Sequence, residues 1–162
     1  MQPSAPIPEG PARRAAISAD IAAATGLTDE GIGALLRDFY ARARADDLLG
    51  PVFARVTDWD HHIARVTDFW SSVALMTGRY HGQPMRAHFG IGITPAHFTR
   101  WLALFTATAA DHCTEAGVAL LTERARIIAR SMEMGIAVAE GVLPTRQPAS
   151  QRPASGGAGA DT

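Results

Sequence analysis

Apolar residues recur at intervals of three and four between residues 17 and 143, and this spacing constrains the fold more than any other feature of the sequence. Thr28 is suited to cap a helix whose first turn carries Asp29 and Glu30, where the helix dipole favours negative charge. The apolar stripe of this helix comprises Ile32, Leu35, Leu36, Phe39 and Ala43. Since no segment alternates apolar and polar residues convincingly, the sequence predicts an all-α fold.

Capping residues, prolines and glycines divide the rest of the sequence into further helices. Asp58 is suited to cap one helix, and Thr94 followed by Pro95 opens another. Between them, Pro84 begins a helix of barely one and a half turns, which Gly90 ends. The predicted helices cover residues 19–25, 29–46, 59–76, 84–89, 95–115 and 118–142.

The two ends of the chain differ in composition from the segment between them. Residues 1–16 and 144–162 are rich in proline and small residues, and we expect a disordered arm and tail flanking one domain at residues 17–143. The single cysteine, Cys113, excludes an intrachain disulfide, and no apolar run resembles a secretion signal or a membrane span. We therefore expect a cytoplasmic protein. Its net charge of −1 argues against binding to nucleic acid.

Histidines are the residues best suited to bind a metal here, and His62 has the most informative setting. It lies in an apolar helical stripe with Val66, Phe69 and Val73, whereas His61 points about 100° away. A buried imidazole needs a hydrogen-bond partner or a ligand. The spacing leaves open whether His62 bonds to a backbone carbonyl or faces a bound group.

His88 is a second candidate, because the short helix that begins at Pro84 would hold its ring rigidly against a flat apolar cofactor. Neutral imidazole is a good iron ligand. His112 is the rival, since it continues an aromatic stripe, but its place near a helix C-terminus favours a surface role. We expect His81 and His97 in loops or at the surface.

Two further polar side chains stand beside apolar stripes. Tyr40 follows Phe39 and needs a hydrogen-bond partner if buried. Trp101 adds an indole N–H to an aromatic face that is otherwise typical of a plain core. The motifs of nucleotide-binding, phosphate-binding, zinc-protease and serine-hydrolase sites are absent, and the carboxylates are scattered.

Four segments resemble, in the same order and with similar gaps, the bacterial class III globins, the third group of truncated haemoglobins. They are FYARARADDLLGPVF (39–53), WDHHIARVTDFWSSV (59–73), TGRYHGQPMRAH (77–88) and HFTRWLALF (97–105). Two motifs are specific for this family when they occur together. One is GRYHGQPM-x-x-H, and the other is an FW pair that follows a histidine on the preceding helix. The resemblance covers most of residues 28–140 and implies a truncated globin, a two-over-two helical sandwich around one haem b (iron protoporphyrin IX).

The resemblance also implies roles for residues around the iron. His88 corresponds to the proximal iron ligand, and His62 to the distal histidine. Tyr40 and Trp101 correspond to distal residues that hydrogen-bond a ligand on the iron. For His62 three roles stay open: it donates to that ligand, swings aside as a gate, or binds ferric iron itself.

Other positions match the walls of the family's haem pocket. Phe53 corresponds to a phenylalanine that stacks on the haem, and Val66 and Trp70 match lining residues. Arg65, one turn beyond the distal histidine, is a candidate for binding a haem propionate, and Arg86 is another.

The resemblance implies a protein that binds O₂, CO, NO or cyanide. Three polar side chains at the ligand predict slow oxygen release, which suits redox chemistry, sequestration or sensing better than oxygen transport. The alternative is a haem enzyme, an NO dioxygenase or a peroxidase, supplied with electrons by an external reductase. A cofactor-free bundle is the third reading, but it would leave buried polar residues without a purpose. We expect a monomer or a weak dimer.

Overall fold

Three helices begin after Thr28, Asp58 and Thr94, the capping residues that the sequence predicts. In a computed structural model, which describes residues 10–141, Thr28 accepts a hydrogen bond from the Gly31 N–H and Asp58 accepts one from the His61 N–H, each at 3.0 Å. The helices are α1 (Pro11–Thr25), α2 (Asp29–Ala45), α3 (Trp59–Leu75), α4 (Pro84–Ala87), α5 (Pro95–His112) and α6 (Glu115–Ala139), with a 3-10 helix at Gly50–Arg55. Since this part of the chain contains no strand, the all-α prediction is confirmed.

Two pairs of helices form the body of the domain. α2 packs on α3, α5 packs on α6, and the pairs contact each other through α2 with α5 and α3 with α6. This is the two-over-two arrangement that the resemblance implies. The stripe predicted on α2 is buried in full, and Phe39 packs edge-on against Phe105 of α5 with 5.6 Å between ring centroids. No helix within residues 10–141 combines the length and apolar character needed to cross a membrane.

Helix α1 corrects the predicted N-terminal arm. It begins at Pro11, so residues 11–16 are helical, whereas residues 1–9 of the arm lie outside the described residues. Proline is tolerated at the first position of a helix, because its missing N–H would have no partner there. The Ser18 hydroxyl donates to the Leu75 carbonyl and joins α1 to the end of α3. The predicted tail and the last residues of the predicted domain, 142–143, also lie outside the described residues.

The segment between α3 and α4 leads to the shortest helix. α3 ends at Leu75, and residues 76–83 form an irregular connection. α4 begins at Pro84 as the sequence predicts, but it is one turn long, shorter than the predicted one and a half turns. Gly90 and Gly92 follow it with positive φ angles of 70° and 78°. α5 then starts at Pro95, so α4 is a single helical turn with an irregular segment on each side.

Candidate functional site

A cavity of about 530 Å³ is enclosed by residues of the 3-10 helix and of every helix from α2 to α6. This volume is within the range typical of sites for small molecules and cofactors. Most of its walls are hydrophobic. Of the nine site residues that the sequence predicts, eight line it: Tyr40, Phe53, His62, Arg65, Val66, Trp70, His88 and Trp101.

His88, immediately after α4, is held by a local hydrogen bond. Its Nδ1 lies 2.6 Å from the carbonyl oxygen of Pro84. Because a carbonyl only accepts, the proton of the neutral ring resides on Nδ1, and Nε2 carries a lone pair. A hydrogen bond of this kind orients a histidine ligand and raises its basicity. His88 is therefore prepared to bind a metal through Nε2.

Tyr40 and His62 meet on another part of the wall. Their ring centroids are 5.0 Å apart in an edge-on contact, and Phe53 lies 5.4 Å from the Tyr40 ring in the same manner. Burial raises the pKa of Tyr40, so its hydroxyl stays protonated near neutral pH and is able to donate.

The electrostatics of His62 keep its ring neutral. Burial lowers the pKa of His62, and the nearby His61, Arg65 and His88 lower it further. Its Nε2 is buried and has no hydrogen-bond partner among residues 10–141. A buried polar nitrogen without a partner is costly, so this atom indicates that a bound group or water completes its hydrogen bonding.

A stack of aromatic rings forms the next part of the wall. Trp70 of α3 and Trp101 of α5 line the cavity with nearly parallel rings whose centroids are 6.4 Å apart. Phe105 lies behind both of them, 4.6 Å from Trp70 and 5.5 Å from Trp101. The sequence indicates that the aromatic face of α5 belongs to the hydrophobic core. In the structure this face packs in the core and also lines the cavity.

The two arginines predicted for propionates are placed differently. Arg65 lines the cavity, with its guanidinium 5.9 Å from the Tyr80 ring centroid. Arg86 is exposed and does not line the cavity, and its guanidinium reaches Gln83 at 3.4 Å. Two residues before His88, it points about 200° away around the helix axis. The propionate role of Arg86 stays a prediction.

His97 also departs from its predicted place at the surface, because it is half-buried and lines the cavity. The Thr94 N–H donates to His97 Nδ1 at 3.0 Å, so the ring folds back over the start of α5. The sequence does carry a signal for this placement, because His97 is the third residue after the cap Thr94, where a side chain can bond back to the cap. The rival ligand His112 lies outside the cavity, where its Nε2 is 2.7 Å from the Asp38 carboxylate.

Sequence reasoning missed the remaining polar residues of the wall, which are Arg55, Tyr80 and Gln83. Arg55 lies in the 3-10 helix, a segment that the sequence indicates only as a turn around Gly50 and Pro51. The other two lie in the connection before α4, so no periodic pattern marks them.

The donor set of the cavity fits the haem that the resemblance implies. One wall offers an imidazole nitrogen with a lone pair, another offers the unpartnered His62 Nε2, and apolar and aromatic side chains lie between them. Arg55 and Arg65 supply positive charge for carboxylates. No group of three or more His, Cys, Asp or Glu side chains within residues 10–141 is placed to bind a metal ion.

Comparisons with known proteins agree with the globin fold that the resemblance implies. The family model described as bacterial-like globin matches residues 23–134. The chain is 31% identical over 109 residues to the group 3 truncated hemoglobin ctb of Campylobacter jejuni, covering 64% of this chain and 86% of that protein. A crystal structure of the group III truncated hemoglobin from Campylobacter jejuni aligns with a TM-score of 0.63 and 30% identity, covering 68% of this chain and 91% of that one.

Proposed function

This chain belongs to the bacterial-like globin family, and on that premise we propose that its cavity holds one haem b group with His88 as the proximal iron ligand. The observation that carries the proposal is the 2.6 Å hydrogen bond between His88 Nδ1 and the Pro84 carbonyl. It orients a cavity-lining imidazole and leaves the lone pair on Nε2 for the metal.

Bound haem supplies an iron centre that takes up small diatomic molecules such as O₂, CO and NO. The Tyr40 hydroxyl and the Trp101 indole N–H are donors held in the wall of the same cavity. Donors fixed in advance stabilise negative charge on a ligand without reorganising. We therefore infer slow release of oxygen, and a role in redox chemistry, ligand sequestration or sensing rather than in transport.

The cationic side chains of the wall complete the proposed site. Arg65 and Arg55 line the cavity and are both exposed, so solvent reaches their guanidinium groups. Guanidinium binds carboxylate in a planar, bidentate geometry. We assign these two residues to the haem propionates, with Arg86, which is exposed and does not line the cavity, as a further candidate.

Replacing His88 by glycine tests the proposal directly. We expect the purified wild-type chain to show the intense absorption band of bound haem. His88→Gly should lose stable haem, because the protein–iron bond is lost, and added imidazole should restore binding by occupying the vacated space. The absorption spectrum with and without imidazole is the measurement.

His81→Gly is the matched control, because His81 lies close by in sequence, is exposed and does not line the cavity. It should keep the wild-type spectrum. A His88→Gly protein with an unchanged haem spectrum in the absence of imidazole would show that another residue binds the iron.

A second candidate function is that of a haem enzyme, either an NO dioxygenase or a peroxidase. One observation favours it: the neutral His62 presents a buried, unpartnered nitrogen beside Tyr40. A neutral imidazole in a cavity is able to accept a proton from a substrate such as hydrogen peroxide. Electrons would come from an external reductase or reductant. Peroxide-dependent oxidation of a phenol, measured with the haem-loaded chain, distinguishes this candidate from a protein that only holds its ligand.

A further inference from the structure

Helix α4 is too short to hold its own position. It consists of four residues, Pro84–Ala87, and so short a helix is not stable in water by its own hydrogen bonds. His88 follows it directly, and the His88 N–H donates to the Met85 carbonyl at 3.1 Å. Whatever fixes Met85 therefore also fixes the backbone of His88.

Met85 lies against a glycine of α6. A Cβ atom at Gly135 would stand 2.6 Å from Met85 Sδ and 2.9 Å from Met85 Cε, closer than real Cβ contacts allow. Gly135 lies within helix α6, where glycine lowers helix stability relative to alanine. It is also not among the residues with a positive φ angle. Met85 thus occupies the space that a side chain at Gly135 would fill.

Met85 and Gly135 do not themselves line the cavity, but Met85 contacts residues that do. Met85 packs against a small apolar cluster formed by Phe98, Ala129, Met132 and Ile136. All of these except Ile136 also line the cavity. The Met85 side chain therefore joins α4 to the part of α5 and α6 that faces the bound group.

We propose that Met85, seated over Gly135, is a positioning residue for His88 that sets the place of its imidazole relative to the iron. This inference rests on the proposed function, in which His88 binds haem. Alanine at Gly135 forces the end of the Met85 side chain to move. Because the apolar cluster confines that side chain, we expect the movement to reach the Met85 backbone and its hydrogen bond to the proximal histidine.

The test compares two glycine-to-alanine substitutions in the haem-loaded protein. Gly135→Ala should speed haem dissociation to an acceptor globin about fivefold or more and shift the iron–histidine stretching band in the resonance Raman spectrum of the ferrous protein. Gly33→Ala is the matched control, because Gly33 is a buried helical glycine whose added Cβ would meet no atom closer than 3.8 Å. It should leave both readouts unchanged.

A double substitution distinguishes an effect of Gly135→Ala that acts through Met85 from a general loss of helix stability. On a Met85→Ala background the obstructing sulfur is absent, so Gly135→Ala should cause no further change in haem dissociation or in the stretching band. If Gly135→Ala does not fold, Met85→Ala alone should still shift the band. Wild-type readouts in Gly135→Ala, or equal effects of that substitution with and without Met85, would overturn the inference. If His88→Gly retained its haem, the proposed function would fail instead.

Discussion

The Tyr40 hydroxyl is the single group on which retention of oxygen should depend most. Tyr40→Phe removes one donor and leaves the ring contacts with His62 and Phe53 in place. A hydrogen bond to a charged group contributes roughly 1.5–3 kcal/mol, so oxygen dissociation should accelerate by an order of magnitude or more. Carbon monoxide carries little negative charge when bound, and its dissociation should change less. Stopped-flow measurement of both rates gives the answer, and equal changes would indicate a steric effect.

His62 should act as a gate rather than as the principal donor. Its pKa is lowered chiefly by burial, so the ring is neutral at pH 7 and carries no charge that would hold it beside a ligand. His62→Leu should raise the rate of ligand association while changing oxygen release only modestly, because Tyr40 and Trp101 remain. Flash photolysis measures association and stopped-flow mixing measures release. A large rise in release with unchanged association would assign the donor role to His62.

At the scale of elements, the connection that leads from α3 to α4 is fastened to the start of α2. Ser71 donates to Asp29 at 2.7 Å, Arg79 donates to the same carboxylate at 2.9 Å, and the Tyr80 N–H donates to Ser72 at 2.9 Å. Partial burial raises the pKa of Asp29, but the hydrogen bonds from Ser71 and Arg79 outweigh it, and the net effect lowers that pKa below 3.8. This network precedes the helix that presents His88.

The lowered pKa of Asp29 predicts how its contribution depends on pH. A carboxyl group with a lower pKa in the folded than in the unfolded chain stabilises the fold above the unfolded value and loses that effect as the pH falls through the folded value. Asp29→Asn should lower the free energy of unfolding at pH 7 by no more than about 1 kcal/mol, since the pair is partly exposed. The difference from wild type should be smaller at pH 3 than at pH 7, because pH 3 lies below the usual carboxyl pKa of 3.8.

Urea unfolding followed by circular dichroism at the two pH values checks this prediction. Asp20→Asn is a suitable control, because Asp20 is exposed and has no ion pair within residues 10–141. A destabilisation by Asp29→Asn that persisted unchanged at acid pH would mean that the carboxylate charge is not what matters.

Elements with strong local signals are the ones that sequence reasoning predicts well. The starts of α2, α3 and α5 follow from capping residues, and the burial of the α2 stripe follows from its spacing. The start of α1 does not, because proline-rich composition suggests disorder while Pro11 is in fact the first residue of a helix. Local signals are also silent about Arg55, since only the packing of distant segments brings it to the cavity.

At the scale of the whole molecule, the cavity makes stability depend on its occupant. The walls come from the 3-10 helix and five helices, so a bound group contacts nearly every element of the domain. A ligand present at 100 times its dissociation constant adds about 2.7 kcal/mol to the stability of the folded state. Removal of haem should therefore lower the Tm by at least about 5 °C in a domain of this size. Equal Tm values for the haem-free and haem-loaded protein would contradict this.

The three tryptophans of the chain have a spectroscopic consequence. Trp70 and Trp101 line the cavity, and the Trp59 ring lies 5.3 Å from that of His62. All indole emission of the protein thus originates beside one site, where a bound porphyrin would accept the excitation energy. Fluorescence of the unmodified chain should fall in proportion to the haem added and level off at one equivalent. The emission then measures, without any label, what fraction of the molecules is loaded.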